Sequence, residues 1–277
     1  LKTLVFMLDP VRENFVKDGV VMKIWQFDHA WIRNGKMVYE VMRVIDGRPL
    51  FLDDHLERMM NSASMAWKGC EVEAGRSQKD ILKLIDHNPK DNGNILFSLV
   101  PGNGKLHHLA WYVQHHYPSE EDYLNGVMVR SMKGTRRQPN AKVWNAPLRS
   151  KASLLLESSG AYEMLLVDRH RNITECSRSN IFLLRGDKIF TPPENEVLQG
   201  ITRKKVFDLC RELQISITEK TIPLQELPFY EAVFITGTSR GVLPVQMIDS
   251  NRFNVSNPLI KKLMDGYNQL VEEDIRK

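Results

Sequence analysis

Lys142 has the surroundings of a nucleophile. It lies in the neutral and apolar stretch from Pro139 to Asn145. An amine among such neighbours is poorly solvated, and desolvation frees it to attack an electrophile. The alternative is an ordinary loop lysine whose stem covers apolar surface while its amine reaches water. Lys142 is therefore a candidate nucleophile whose role depends on what surrounds it.

Two segments carry small and hydroxyl-bearing residues that suit an anion. Residues 200–203 (Gly-Ile-Thr-Arg) stand at the predicted start of a helix, whose unpaired N–H groups and partial positive charge attract phosphate. Residues 236–241 (Thr-Gly-Thr-Ser-Arg-Gly) follow a predicted strand directly and could form an anion-binding nest. The alternatives are an ordinary helix cap and an ordinary glycine-containing turn.

Other common chemistries have no motif here. The chain has no Walker A sequence, no GxGxxG, no HExxH and no CxxC. The pairs His107-His108 and His115-His116 lie in or beside a predicted strand. Neighbours in a strand point to opposite faces, so neither pair can bind one metal ion through its own two rings. We therefore predict no metal site.

Composition excludes several classes of protein. The chain has 277 residues, of which 42% are hydrophobic and 26% charged, as in average globular domains. The 38 Lys and Arg against 34 Asp and Glu leave a charge of only +4, which is not clustered as in a nucleic-acid-binding protein. No apolar run approaches the ~18 residues of a membrane span. Cys70, Cys176 and Cys210 are widely spaced and odd in number, which predicts free thiols in the cytoplasm.

The first half of the chain reads as hairpins with helices between them. A strand over 38–45, the turn Asp46-Gly47 and a returning strand over 50–52 predict one hairpin. Asp53 is then the predicted cap of a helix. Ser77 and Asp80 resemble a capping box before the apolar run 81–85. Strands over 94–100 and 106–113 predict a second hairpin. We assign no role to the residues before about Asn14.

The second half alternates strands and helices. Strands are predicted over 162–167, 173–176, 180–184, 188–190 and 232–236, with a helix after Gly200. A final helix is predicted with six residues facing inward: Leu259, Leu263, Met264, Tyr267, Leu270 and Val271. The polar residues 119–122 are interpreted as an interdomain linker. The predicted domains are therefore a small N-terminal α/β domain over 1–118 and a larger domain over 123–277. The predicted fold class is α/β, of the α+β type.

In chain order, these separate motifs resemble one family, the class IV (fold-type IV) pyridoxal-phosphate enzymes. That family includes branched-chain aminotransferases, D-amino-acid aminotransferases and 4-amino-4-deoxychorismate lyase. The segments that carry the resemblance are 38–44 (Val-Tyr-Glu-Val-Met-Arg-Val), 55–58 (His-Leu-Glu-Arg), Lys142 with Asn145, 160–163 (Gly-Ala-Tyr-Glu), 173–182 (Ile-Thr-Glu-Cys-Ser-Arg-Ser-Asn-Ile-Phe), 198–203 (Leu-Gln-Gly-Ile-Thr-Arg) and 234–245 (Phe-Ile-Thr-Gly-Thr-Ser-Arg-Gly-Val-Leu-Pro-Val).

The resemblance implies a two-domain fold whose larger C-terminal domain has a β-barrel-like core. It also implies that pyridoxal 5′-phosphate binds between the domains and that the protein is a homodimer. Lys142 resembles the lysine that forms the Schiff base, since its spacing to residues 160–163 fits the family, whereas Lys151 lies too close to them. The other residues carried over are Arg58, Ile201, Thr202 and Thr238 at the cofactor phosphate, Glu175 at the pyridine nitrogen, and Tyr39 on the substrate side.

Each residue also has a plain structural alternative. Arg58 could pair with Asp54 one turn earlier on its helix. Tyr39 could be a buried strand aromatic, and Glu175 a surface carboxylate at a strand end. The family's roles explain the residue types better, because a carboxylate at the ring nitrogen keeps the ring cationic and able to accept electrons.

The chain departs from the family at the substrate side. The Arg-x-His pair of D-amino-acid aminotransferases is absent from residues 99–108, as is the arginine that the lyases carry near the same loop. Arg240 follows Ser239 where relatives carry a small or acidic residue. We predict that Ser239 and Arg240 contact substrate and that Arg240 binds an anionic group.

The resemblance implies an aminotransferase that moves an amino group between a branched-chain or related α-amino acid and a 2-oxo acid. The first alternative is a 4-amino-4-deoxychorismate lyase that releases pyruvate. The second is a non-catalytic binding protein that has kept the fold.

Overall fold

The chain folds into two compact units. The computed structural model describes residues 8–33, 37–67, 72–102 and 105–277. Unit 1 comprises Leu1–His116, Ala141–Ala146 and Asp274–Lys277, and unit 2 comprises Tyr117–Asn140 and Pro147–Glu273. The short stretch that carries Lys142 therefore belongs with the N-terminal unit, although it follows the predicted linker by some twenty residues along the chain.

Unit 1 is built on one antiparallel sheet with helices packed against it. In the described part of the unit the sheet has six strands in the order β2-β1-β6-β5-β3-β4. The strands are β1 (Asn14–Lys17), β2 (Val20–Lys23), β3 (Val38–Ile45), β4 (Arg48–Pro49), β5 (Gly93–Gly102) and β6 (Lys105–Val113), and the α-helices are α1 (Ala30–Arg33), α2 (Leu52–Ala66) and α3 (Ala74–Asp86).

The core of unit 1 lies where α2 and α3 cover the sheet. Val38, Met42 and Phe97 from β3 and β5 pack in one apolar cluster with Met59 of α2 and Leu84 of α3. Asp46 and Gly47 have positive φ angles of 48° and 76°, so the β3–β4 turn has the predicted left-handed conformation. The β5–β6 hairpin is confirmed as well, although residues 103–104 of its turn lie outside the described chain.

The start of α2 differs from the prediction. The strand expected over 50–52 does not form, because β4 ends at Pro49 and Leu52 is already helical. The residue before the helix is Phe51, whose φ of 52° turns the chain sharply. Asp53 therefore lies inside the first turn, where its charge favours the helix N-terminus without serving as the cap.

The predicted capping box at Ser77 and Asp80 was also wrong. Helix α3 begins at Ala74, and both residues lie inside it on its buried face. The spacing that suggests a capping box, i and i+3, also places two residues on one side of a helix.

Unit 2 contains a mixed sheet that curls into a half-barrel. Its nine-strand path in the described chain runs β12-β11-β10-β14-β15-β7-β8-β9-β13, and β16 pairs with β15. The strands are β7 (Val127–Lys133), β8 (Glu163–Val167), β9 (Asn172–Cys176), β10 (Asn180–Arg185), β11 (Lys188–Thr191), β12 (Ser216–Glu219), β13 (Ile222–Pro223), β14 (Ala232–Gly237), β15 (Gly241–Ile248) and β16 (Asn251–Arg252).

Four α-helices accompany this sheet: α4 (Glu120–Asn125), α5 (Ala146–Ser159), α6 (Ile201–Glu212) and α7 (Pro258–Arg276). Residues 119–122, predicted as a linker, instead begin α4, because Ser119 and Asp122 form a reciprocal capping box. Helix α7 buries Leu263 and Tyr267, as predicted, whereas four other residues predicted to face inward are only half-buried: Leu259, Met264, Leu270 and Val271.

The mixed α and β fold class is confirmed. Shorter 3₁₀ turns occupy Ile24–Gln26, Glu194–Glu196 and Leu224–Phe229. Among the residues that the structure describes, no helix combines the length and the apolar character that crossing a bilayer requires.

Candidate active site

Lys142 is held against the edge of β3 in unit 1. The Tyr39 N–H donates to the Lys142 carbonyl at 3.1 Å, and the Trp144 N–H donates to the Met37 carbonyl at 2.8 Å. These bonds frame a single antiparallel bridge between Val38 and Val143. Residues 142–144 therefore attach to the sheet like a very short strand, which fixes the direction of the Lys142 side chain.

The Lys142 backbone is fixed from the other side by α2. Its N–H donates to the Ser62 hydroxyl at 3.0 Å. The Lys142 Nζ lies 5.1 Å from the Tyr39 ring centroid, and the Tyr39 ring in turn meets the Trp144 ring edge to face at 5.4 Å. The structure thus brings Tyr39, predicted on the substrate side, next to the predicted nucleophile.

Arg58 contacts a buried carboxylate that sequence reasoning did not single out. Its Nε and Nη2 donate to the two oxygens of Glu40 at 2.8 and 2.5 Å. His55 Nδ1 lies 2.8 Å from the Glu40 carboxylate as well. His55, Arg58 and Ser62 follow one another at i, i+3 and i+7, so one face of α2 presents all three to the sheet.

The charges of this cluster are set by burial and by its own contacts. Burial alone would raise the pKa of Glu40, but the charge and hydrogen bonds of Arg58, with a contribution from His55, outweigh it and lower the pKa to about 2. Burial lowers the pKa of His55; Glu40 opposes this effect, while the charges of Arg58 and Lys142 add to it. A neutral His55 therefore donates from Nδ1 to an ionised Glu40, beside a cationic Arg58.

Glu175 in unit 2 is paired with an arginine. It lies in β9 and is 2% exposed. Arg136 Nε donates to its Oε1 at 2.8 Å, and Arg136 Nη2 donates to the Ser177 carbonyl at 3.3 Å. The alternative of a surface carboxylate at a strand end is therefore wrong for Glu175.

Arg240 lies in a second buried cluster of unit 2, around Glu163. The Glu163 carboxylate accepts from Ser177 at 2.5 Å, Ser179 at 2.9 Å and Arg240 Nη1 at 2.9 Å. Arg178 Nε is more distant at 3.9 Å. Burial would raise the pKa of Glu163, but the charges of Arg178 and Arg240 and the hydrogen bond from Ser177 lower it to about 2.

Hydrogen bonds and a ring contact within the protein fix the orientation of Arg240. Its Nη1 also contacts the Ser179 hydroxyl and the Arg178 carbonyl, and its guanidinium lies 5.4 Å from the Tyr162 ring centroid. Its buried Nε has no hydrogen-bond acceptor. The structure therefore gives Arg240 a structural role, and its predicted contact with an anionic substrate group stays a prediction.

The N-terminus of α6 is open to an acceptor. Its cap, Gly200, has no side chain to bond the first N–H groups, and the first turn contains no acidic residue. A side chain at Gly200 would collide with the amide of Asn180, which donates to the Leu198 carbonyl at 2.8 Å. Asn180 thereby holds the chain just before the first helical residue, Ile201.

The other hydroxyl groups predicted near an anion are those of Thr202 and of the turn at residues 238–240. The Thr202 hydroxyl is buried, and it lies 3.5 Å from the Tyr267 hydroxyl. Thr238 and Ser239 are half-buried in the tight turn between β14 and β15, which the Arg240 N–H closes onto the Gly237 carbonyl at 3.1 Å. Gly241 follows with a φ of 56°, and a side chain there would meet the Tyr267 ring at 2.9 Å.

Comparison with known proteins identifies the family. A family model described as "Amino-transferase class IV" matches residues 37–248, which is most of the chain. The chain belongs to the class IV aminotransferase family. The D-alanine aminotransferase of Bacillus licheniformis is 27% identical to it over 240 residues, which cover 81% of this chain and 83% of that relative. The chain spans only about half the length of some other relatives that it matches.

Solved structures share the fold of this class IV aminotransferase. A structure from Thermotoga maritima, named as a branched-chain amino acid aminotransferase, superposes with a TM-score of 0.80 at 23% identity and covers 94% of this chain and 96% of its own. One from Legionella pneumophila, named as a 4-amino-4-deoxychorismate lyase, gives 0.75 at 23% identity and covers 88% and 93%. Both confirm the fold predicted from the motifs.

The residues of this class IV aminotransferase fit the family's cofactor, pyridoxal 5′-phosphate. An uncapped helix N-terminus followed by the hydroxyl of Thr202 suits a phosphate group. The buried carboxylate of Glu175, fixed by a guanidinium, suits the ring nitrogen. Lys142 supplies an amine 5.1 Å from the Tyr39 ring centroid. Across the described chain, no cluster of three His, Cys, Asp or Glu residues could bind a metal ion.

Several residues of these sites escaped a functional assignment from sequence. The resembling segments contain Glu40, His55 and Glu163, but without a partner each is only a polar residue in a strand or helix. Ser62 lies one turn after Arg58 on the same helix face, a spacing that could have indicated it. Arg136 had no sequence signal, because nothing in the pattern relates position 136 to position 175.

Proposed function

We propose that this class IV aminotransferase transfers the amino group of a branched-chain or related α-amino acid to a 2-oxo acid through a Schiff base on Lys142. The observation that carries the proposal is the position of Lys142, whose backbone is bonded to β3 and α2 and whose Nζ lies 5.1 Å from the Tyr39 ring. The Tyr39 ring, which meets the Trp144 ring edge to face, gives the amine an aromatic neighbour that suits an aliphatic side chain.

Each site residue has a physical task in this proposal. When bound, the pyridoxal ring supplies an electron sink for the pair left on the substrate Cα. Lys142 Nζ holds the cofactor at rest and, once released, accepts the proton from the substrate Cα. Glu175 keeps a proton on the ring nitrogen. Tyr39, Ser239 and Arg240 contact substrate.

The phosphate contacts divide into one charged and several neutral donors. Arg58 supplies the positive charge, and its guanidinium is held in place by two hydrogen bonds to Glu40. Ile201 and Thr202 supply N–H groups and a hydroxyl at the start of α6, and Thr238 supplies a further hydroxyl. Such donors would hold the phosphate, and with it the cofactor, independently of Lys142.

Borohydride trapping tests the assignment of Lys142. Reduction of the cofactor-loaded protein, followed by peptide mass spectrometry, should locate the adduct on Lys142. Lys142→Ala should trap no adduct and should lose activity by a factor of about 10² or more, because a general base is worth about 10²–10⁴. Lys151→Ala is the matched control, since that lysine only donates to the Lys133 carbonyl from an exposed position. An adduct on any other lysine would contradict the proposal.

The product distinguishes the aminotransferase from the lyase. Candidate L- and D-amino acids supplied with 2-oxoglutarate should yield the matching 2-oxo acids. Pyruvate released from an aminodeoxychorismate-like substrate without any acceptor would favour the lyase instead. A colourless protein that takes up no cofactor would favour a non-catalytic binding protein.

We further propose a cytoplasmic homodimer. Cys176 and Cys210 are buried and not disulfide-bonded, which agrees with a reducing compartment. Sedimentation equilibrium of the loaded protein should give twice the mass of 32.0 kDa.

A further inference from the structure

The Arg136 side chain is buried beside Glu175, the carboxylate proposed to contact the cofactor ring. The side chains of Arg136 and Glu175 are 6% and 3% exposed. Arg136 Nε donates to Glu175 Oε1 at 2.8 Å. Arg136 follows β7 and Glu175 lies in β9, so the contact joins residues 39 positions apart.

A second hydrogen bond of Arg136 fixes the orientation of its guanidinium relative to Glu175. Its Nη2 donates to the carbonyl of Ser177, two residues beyond Glu175 on the same chain segment. One planar guanidinium therefore bonds both the carboxylate and the backbone just after it. Because the guanidinium is rigid, these two contacts restrict the rotation of the Glu175 carboxylate as well as its position.

The charge of Arg136 matters as much as its geometry. A carboxylate taken out of water binds a proton unless a cation lies beside it. Arginine is protonated at all working pH values, so Arg136 supplies that cation permanently. The positive charge of Arg136 also partly cancels the negative field of Glu175 at neighbouring groups. A titratable group near both residues therefore binds its proton less tightly than it would beside Glu175 alone.

We propose that Arg136 is a positioning residue that orients Glu175 and, through its charge, sets the acidity of the bound cofactor. The inference rests on the proposed contact between Glu175 and the ring nitrogen. Removal of Arg136 takes one positive charge away from the Glu175 carboxylate and strengthens the negative field at the ring. The titratable groups of the cofactor should then hold their protons to higher pH.

The test is a pH titration of the visible absorption of the bound cofactor in resting enzyme without substrate. In Arg136→Gln the midpoint should rise by about one pH unit or more, which corresponds to about a tenfold change in proton affinity. Arg136→Lys keeps the charge but has no planar fork, so its midpoint should shift by less than half as much. Arg137→Gln is the matched control: it removes the same charge from the adjacent, exposed position and should leave the midpoint unchanged.

A double variant separates this inference from the role of Glu175. Because the direct field of Arg136 persists without Glu175 while its hold on the carboxylate does not, Arg136→Gln should still shift the midpoint of the Glu175→Gln protein, but by less than it shifts the midpoint of the wild type. Equal shifts in both backgrounds would overturn the inference, and so would a shift in Arg137→Gln as large as that in Arg136→Gln. A Glu175→Gln protein whose titration matches the wild type would instead contradict the proposed contact of Glu175 with the ring.

Discussion

Glu40 in unit 1 and Glu163 in unit 2 are both fully buried, yet they are neutralised differently. Glu40 is matched by one guanidinium, that of Arg58, and by a neutral His55. Glu163 faces two guanidinium groups, Arg178 and Arg240, and accepts from two serine hydroxyls. The first cluster is electrically balanced, whereas the second retains an excess positive charge.

This difference in charge balance shows that a buried arginine–glutamate pair can serve two purposes, positioning an arginine or supplying positive charge. A balanced cluster fixes its arginine for a contact elsewhere, which suits the predicted role of Arg58 at the phosphate. In the Glu163 cluster, the hydroxyls of Ser177 and Ser179 donate to the carboxylate, and the excess charge leaves a positive field beside Arg240. That field is what a substrate carboxylate would require.

Removal of the carboxylates should give the largest effect. Glu163→Gln leaves two guanidinium groups facing an amide, so we expect it to lower the free energy of unfolding by about 3–5 kcal/mol. Glu40→Gln leaves only one such group and should cost less. Denaturant unfolding measures both. All five tryptophans belong to unit 1, so their fluorescence reports the Glu40 variant, and circular dichroism reports both.

The control for these variants is Glu157→Gln, on an exposed position of α5. It should lie within about 0.5 kcal/mol of the wild type. Equal losses for Glu40→Gln and Glu163→Gln would contradict the difference in charge balance.

The pH dependence of stability should separate the two clusters next. Both carboxylates have a pKa lowered from 4.5 to about 2, so the unfolded state binds protons that the folded state does not. The stabilisation from Glu163 should therefore be constant above about pH 5 and should fall as the pH drops from 4.5 towards 2. The pKa of His55 is also lowered, from 6.5, so the Glu40 cluster should begin to lose stability already below pH 6.5.

His55→Gln provides the check on that earlier loss. This variant should reduce the decline between pH 6.5 and 4.5 that tryptophan fluorescence reports, and it should leave the part below 4.5. The rest of the decline between pH 6.5 and 4.5 comes from His108 in the same unit, because burial lowers its pKa from 6.5 to about 4. A decline between pH 6.5 and 4.5 that persists unchanged in His55→Gln would show that another group causes it.

The smallest expected effect concerns substrate choice. Arg240→Ala removes part of the excess charge around Glu163 and should raise the KM for an acidic 2-oxo acid about tenfold relative to an aliphatic one, or about 1.4 kcal/mol. The ratio within one variant cancels any change in the folded fraction. Arg240→Lys keeps the charge and should retain most of the preference. Arg211→Ala, on an exposed position of α6, is the control. An unchanged ratio in Arg240→Ala would contradict the predicted anion contact.

The sequence predicts the fold well where local chemistry decides the structure. The Asp46-Gly47 turn, the β5–β6 pairing and the helix after Gly200 all depend on neighbours in the chain, and all are confirmed. The start of α2 could not be predicted, because Phe51 adopts a left-handed conformation that its residue type disfavours.

In the candidate site, too, the sequence predicts the residues that stand in local patterns and not their partners. Motifs single out Lys142 and Glu175 because those residues stand in recognisable local patterns. Their partners Ser62 and Arg136 come from distant parts of the chain, 80 and 39 positions away. Tertiary packing brings these residues together, and the local spacing of residues in the sequence does not predict it.

The bridge between Val38 and Val143 has a consequence for how the protein can change. Side chains alternate between the two sides of an extended segment, so a one-residue insertion or deletion between β7 and Lys142 would turn the amine away and present a methyl or isopropyl group in its stead. The length of that loop is therefore constrained far more tightly than its composition. Evolution or engineering could replace loop residues other than Arg136, whose guanidinium bonds Glu175 and the Ser177 carbonyl, but could alter their number only by steps that preserve the alternation.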